Sequence, residues 1–99
     1  MWVIGLPILE SFWQSHPKAR KPLEKWVQVV KEAKWGNWSQ LKSTFRTVDL
    51  VPVGPKKFVV FNVGGNKYRL VTIVNFKGQA VIVEATLTHR EYDKGKWKD

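Results

Sequence analysis

Two short stretches of this 99-residue chain concentrate side chains able to do acid-base or phosphate chemistry. One is Asn66-Lys67-Tyr68-Arg69, which follows two glycines and opens a strand-like run. Strand alternation places Lys67 and Arg69 on one face about 7 Å apart, where two fixed cations can straddle a phosphate. The other is Thr88-His89-Arg90-Glu91-Tyr92-Asp93. Thr88 and Glu91 have capping-box spacing, so this segment reads as one helical turn with His89, Tyr92 and Asp93 on one side. Each set also has an ordinary reading, as edge-of-sheet cations, a surface imidazole and a tyrosine that lids a core. The functional reading gains because both segments begin or end strands of one meander and can converge at one sheet edge.

Several catalytic classes drop out. The sequence has no cysteine, no G-x-S-x-G, no phosphate-binding Walker loop and no histidine pair at metal-ligand spacing. Glu91 and Asp93 are the only close acidic pair among eight scattered acids, which argues against a carboxylate-rich two-metal nuclease. A nuclease built from this chain is therefore expected to need no metal and no other cofactor. Seventeen Lys and Arg against eight Asp and Glu give a formal net charge of +9, and nucleic acid is the expected partner of such a surface. His16, at a helix end before Pro17, reads as structural. Of the six tryptophans, those at helical spacing read as core, and only Trp97 is free enough to suggest base stacking.

The elements that must position these groups come in two blocks. Met1 to Ile4 reads as a first strand ended by Gly5 and Pro7. Ile8, Leu9, Phe12, Trp13 and His16 recur at helical spacing, and Pro17 ends that helix. Leu23, Trp26, Val27, Val30 and Ala33 form a stronger stripe, with Pro22 in the first turn and Gly36 beyond the end. Asn37 and Gln40 resemble a capping box, so Trp38 to Phe45 is expected as a brief third helix. From Thr47 onward, β-branched and aromatic residues dominate Val48 to Val51, Phe58 to Val63, Tyr68 to Phe76 and Ala80 to Leu87. Gly64, Gly65 and Asn66 supply positive φ for one hairpin, and Lys77-Gly78 makes the next. The result is a single α+β domain over residues 1–99, with helices packed on an antiparallel β-meander and a frayed, charged tail from Lys94 to Asp99. A hydrophobic share of 43% supports one core. No apolar run is long enough for a membrane span, Met1 to Leu9 has neither the basic start nor the cleavage site expected of a secretory signal, and the absence of cysteine allows a cytoplasmic address.

The blocks Val59-Val60-Phe61-Asn62-Val63, Gly65-Asn66-Lys67-Tyr68-Arg69-Leu70 and Thr88-His89 with Glu91-Tyr92-Asp93 resemble the signature segments of HigB-type toxins of the RelE/ParE superfamily. Phe12-Trp13, His16-Pro17, Pro22-Leu23 and Trp26 extend the resemblance through the helical half. It implies a RelE-like fold, with two N-terminal helices on a curved sheet, and an endoribonuclease acting on messenger RNA, usually on the ribosome. It further implies a neighbouring antitoxin, commonly one with a helix-turn-helix domain. One position departs: Leu87 stands before Thr88-His89, where the resemblance leads to a glycine, so the approach of the His89 turn to the sheet is open.

Cleaving RNA without a metal requires a base for the ribose 2′-OH, cations for the charged transition state and an acid for the leaving oxygen. Arg69 is expected on the phosphate, with Lys67 as a second cation or a base. His89 and Tyr92 are the acid-base candidates, unassigned between the two roles, and Asp93 orients His89. Lys56, Lys57 and Arg90 are expected to steer RNA. The alternatives are a non-catalytic basic RNA-binding module and a ParE-like gyrase-inhibiting toxin.

Overall fold

A computed structural model describes all 99 residues. The left-handed Gly5 (φ 99°) turns the chain out of β1 (Trp2–Ile4) into α1 (Leu6–Ser15), whose first turn accommodates Pro7. A short 3₁₀ turn, Pro17–Ala19, leads into α2 (Arg20–Glu32), which buries Leu23, Trp26 and Val30 as the apolar stripe requires. The brief α3 (Trp38–Thr44) forms where expected, with the Asn37 side chain accepting from the Gln40 amide. Four strands then follow: β2 (Asp49–Val53), β3 (Lys56–Val63), β4 (Tyr68–Asn75) and β5 (Ala80–Thr88). The chain ends in α4 (His89–Lys94) and a 3₁₀ turn, Lys96–Lys98.

The five strands make one sheet in the order β1-β5-β4-β3-β2. The meander from β2 to β5 is antiparallel, as expected, but β1 pairs in parallel with β5, so the sheet as a whole is mixed. Between β1 and β5 run the helices and the other three strands, a connection long enough for a parallel neighbour. Two turns also differ from expectation. Gly64 and Gly65 take positive φ but Asn66 does not, and in the second hairpin the left-handed residue is Gln79 rather than Gly78. The Gln79 side chain compensates by donating to the carbonyls of Trp35 and Phe76.

Alternation divides the sheet's side chains between two environments. Val59, Phe61, Leu70, Val81 and Val83 pack under the helices against Leu9, Leu23, Trp26 and Val30 in the main core. Phe58, Val60, Arg69 and Val71 belong to the opposite set, and α4 with the C-terminal turn lies on that side. Composition suggests a frayed tail, yet it folds back. Trp97 stacks on Tyr92, meets Phe58 edge-on and donates from Nε1 to the Tyr92 carbonyl. The apolar ring supplies the docking energy that the surrounding charges conceal.

Candidate active site

Register brings the two segments together. Tyr68 pairs with Thr88 and Arg69 with Leu87, and the His89 amide donates to the Lys67 carbonyl at 2.9 Å. Leu87 is accommodated within the ladder, so β5 runs on regularly to Thr88 without a glycine. Thr88 and Glu91 then complete the capping box. The Glu91 amide donates to Thr88 Oγ1 and the Thr88 amide donates to Glu91 Oε1 at 2.9 Å. That last bond holds the Glu91 carboxyl below its ordinary value.

Arg69 is only 9% exposed and has no carboxylate partner. Buried cations are normally ion-paired. Here oxygen dipoles hold the guanidinium instead: Nη2 donates to Asn66 Oδ1 at 2.8 Å, and Nη1 to the carbonyls of Asn66 and Tyr68. These bonds leave the Nε–H and one Nη2–H, on one edge of the fork, without a protein acceptor. That edge suits bidentate binding of a phosphate. The guanidinium carbon also lies 5.7 Å from the centroid of the Tyr92 ring.

One helical turn links the remaining groups. His89 Nδ1 is 2.8 Å from Asp93 Oδ2. To donate to the carboxylate Nδ1 must carry the proton, so Nε2 is the nitrogen able to exchange one. Burial pushes the Tyr92 phenol above its ordinary value of 10.0, and Asp49 and Asp93 push the same way against Arg69. Tyr92 is therefore a hydrogen-bond donor at neutral pH.

Other expected site residues are placed differently. Lys67 lies in the hairpin turn rather than in β4, so alternation does not set it beside Arg69. Its backbone carbonyl receives α4, and its side chain is exposed. Lys56 and Lys57 begin β3, whereas Asn62, opposite Arg69, is near its end, roughly 20 Å along the strand. Lys56 instead borders a concavity with Phe58, Trp97 and Lys98. Arg90 is exposed on the first turn of α4. Sequence reasoning missed Asn66 as the holder of Arg69 and Asp49 as a neighbour of Tyr92. An asparagine three residues before a strand arginine, just after two left-handed glycines, was the available signal for the first. Trp97 is engaged with protein rings, and the freely exposed tryptophan is Trp2.

Residues 19–95, which include both segments, match the model of the HigB toxin family, the RelE-like toxic component of a toxin-antitoxin system. The chain is 29% identical over 93 residues to the mRNA interferase toxin HigB of Escherichia coli (strain K12), covering 94% of this chain and 88% of that protein. The mRNA interferase HigB of Shigella flexneri aligns with the same identity and coverage. That of Escherichia coli O6:H1 is 27% identical over 94 residues, covering 95% and 90% of the two chains. The family match takes in most of the sequence and both halves of the site, and the chain thus belongs to the HigB toxin family.

Proposed function

We propose that this toxin cleaves messenger RNA by metal-independent transesterification at the Arg69–His89–Tyr92 site. The observation that carries this reading is Arg69, a nearly buried cation with an open guanidinium edge beside the Tyr92 ring, on the strand whose start receives the His89 turn. The relatives' name, mRNA interferase, supports the substrate. His89 Nε2 takes the proton of the ribose 2′-OH, and the 2′-oxygen attacks phosphorus. Arg69 binds the phosphate and its developing charge, with Lys67 as a second cation. The bond to the 5′-oxygen breaks as Tyr92 donates its proton there, leaving a 2′,3′-cyclic phosphate and a 5′-hydroxyl. Solvent exchange then returns His89 and Tyr92 to their starting states. Asp93 fixes the His89 tautomer, and Lys56, Lys57 and Arg90 steer RNA without reading bases. The reaction takes place in the cytoplasm on ribosome-bound messenger, and a helix-turn-helix antitoxin restrains it.

The test uses purified Arg69→Ala, His89→Ala and Tyr92→Phe chains on messenger RNA, with and without translating ribosomes. Each is expected to lose cleavage while keeping its melting temperature and antitoxin binding, and EDTA in the ribosome-free arm should leave wild-type cleavage intact. Full activity of the double variant His89→Ala, Tyr92→Phe would sink the acid-base pair. Complete inhibition of that arm by EDTA would sink the metal-independent route.

A further inference from the structure

A second surface feature lies at the other end of β5. Trp2 and Ile4 pair with Ala80 and Ile82, whereas the site begins at Leu87 and Thr88, roughly 20 Å along the strand. Trp2 is 76% exposed and Ile4 51%. Register sets Ile82 and Ile73 in one row with Ile4, so these residues extend an apolar strip on the face away from the main core. Around the edge a cleft of about 950 Å³ opens, lined by Met1, Val3 and Leu6 and bordered by Lys31 and Lys34 at the end of α2. β1 is the outermost strand, so one row of its backbone groups has no strand beyond it.

An exposed tryptophan and isoleucine beside a free strand edge are an aggregation hazard unless something covers them. RNA fits less well, because two bordering lysines are few for an affinity that rests on phosphate contacts and the row from Ile4 through Ile82 to Ile73 is apolar. A second copy fits poorly as well, since each chain carries a net charge of +9 and would bring its own Lys31 and Lys34 to the contact. An acidic protein partner complements both the apolar strip and its basic border.

We propose that this edge, centred on Trp2, is where the cognate antitoxin docks. An apolar antitoxin segment flanked by acidic side chains lies in the cleft against β1. This rests on membership of a toxin-antitoxin family and not on the cleavage mechanism. The probe is the purified antitoxin encoded beside the toxin, titrated calorimetrically into a His89→Ala toxin, which can be produced without harm to the host. Adding Trp2→Glu and Ile4→Glu should raise Kd at least 100-fold with the melting temperature retained. The same pair in the otherwise unaltered toxin should keep messenger RNA cleavage but escape antitoxin relief of growth arrest. Lys31→Glu with Lys34→Glu, both on the exposed face of α2 or just beyond it, should weaken binding about tenfold in a salt-dependent way. A Kd within threefold of the parent for both pairs would overturn the proposal. So would a toxin that sediments as a dimer dissolved by Trp2→Glu, or a Trp2 variant that loses RNA affinity instead. Because the readout is affinity for the antitoxin rather than cleavage, failure of this proposal and failure of the nuclease reading are distinguishable.

Discussion

The two faces of the sheet are built for different ends. Under the helices, Leu9, Leu23, Val30, Leu41, Phe61 and Leu70 are fully buried in one contiguous core, and no charged side chain enters it. On the opposite face Val60 and Val71 are also buried, but they lie outside that core, and the cover is only α4 with Tyr92 and Trp97. This thin cover allows a guanidinium to be shielded from bulk water while one edge stays open to a ligand. Stability is thus concentrated on one face and chemistry on the other, and substitutions should separate accordingly.

The largest expected effect tests the helix face. Trp26 is 3% exposed and packs edge-on against Phe61 at 5.3 Å between ring centroids. Trp26→Ala should cost about 3–5 kcal/mol, lowering the melting temperature by roughly 12 °C or more. Its Nε1 is buried without a hydrogen-bond partner, so Trp26→Phe, which removes that donor along with some volume, should cost markedly less. A thermal melt unchanged by Trp26→Ala would dissolve the distinction between the faces. Next in size comes the opposite face, where Arg69→Lys keeps the charge but loses the fork held by Asn66. Cleavage should fall on the order of 100-fold, read as kcat/KM, with Trp26→Phe close to wild type in the same assay. Retained activity in Arg69→Lys would mean that a point charge suffices and that the open guanidinium edge is incidental.

The helix face was the more legible in sequence, because its pattern is local. Leu23, Trp26 and Val30 announce a buried stripe by spacing alone, and Asn37 with Gln40 announces the cap of α3 within four residues. The face with the chemistry depends on contacts between distant segments. A three-residue strand such as β1 carries nothing to say that its neighbour is Ala80 to Ile82, or that the pairing is parallel. Likewise Lys94 to Asp99 reads as a frayed tail until Phe58 and Tyr92 are known to lie beneath Trp97. The alternation argument for setting Lys67 beside Arg69 lapsed for a simpler reason: the hairpin turn takes Lys67, and alternation applies only inside the strand. What the structure does show is the meeting of the two segments, because antiparallel register sets the start of β4 against the end of β5.

The smallest effect, and the finest probe of the thin face, is the titration of Tyr92. Burial is the main reason its phenol lies above 10.0, so neutral Tyr92 contributes stability that is fully present below that ordinary value. This contribution is lost as pH rises through the higher folded-state value. The absorbance at 295 nm of the wild-type chain minus that of Tyr92→Phe isolates this residue from Tyr68. Its midpoint should lie above 10.0. Trp97→Ala strips the stacked ring from Tyr92 and admits water, so the midpoint should move down toward the ordinary value. Asp49→Asn should also lower it, because the Asp49 carboxylate disfavours a second negative charge nearby. A midpoint indifferent to Trp97→Ala would mean that the tail does not shield Tyr92, and the cover over Arg69 would then rest on α4 alone.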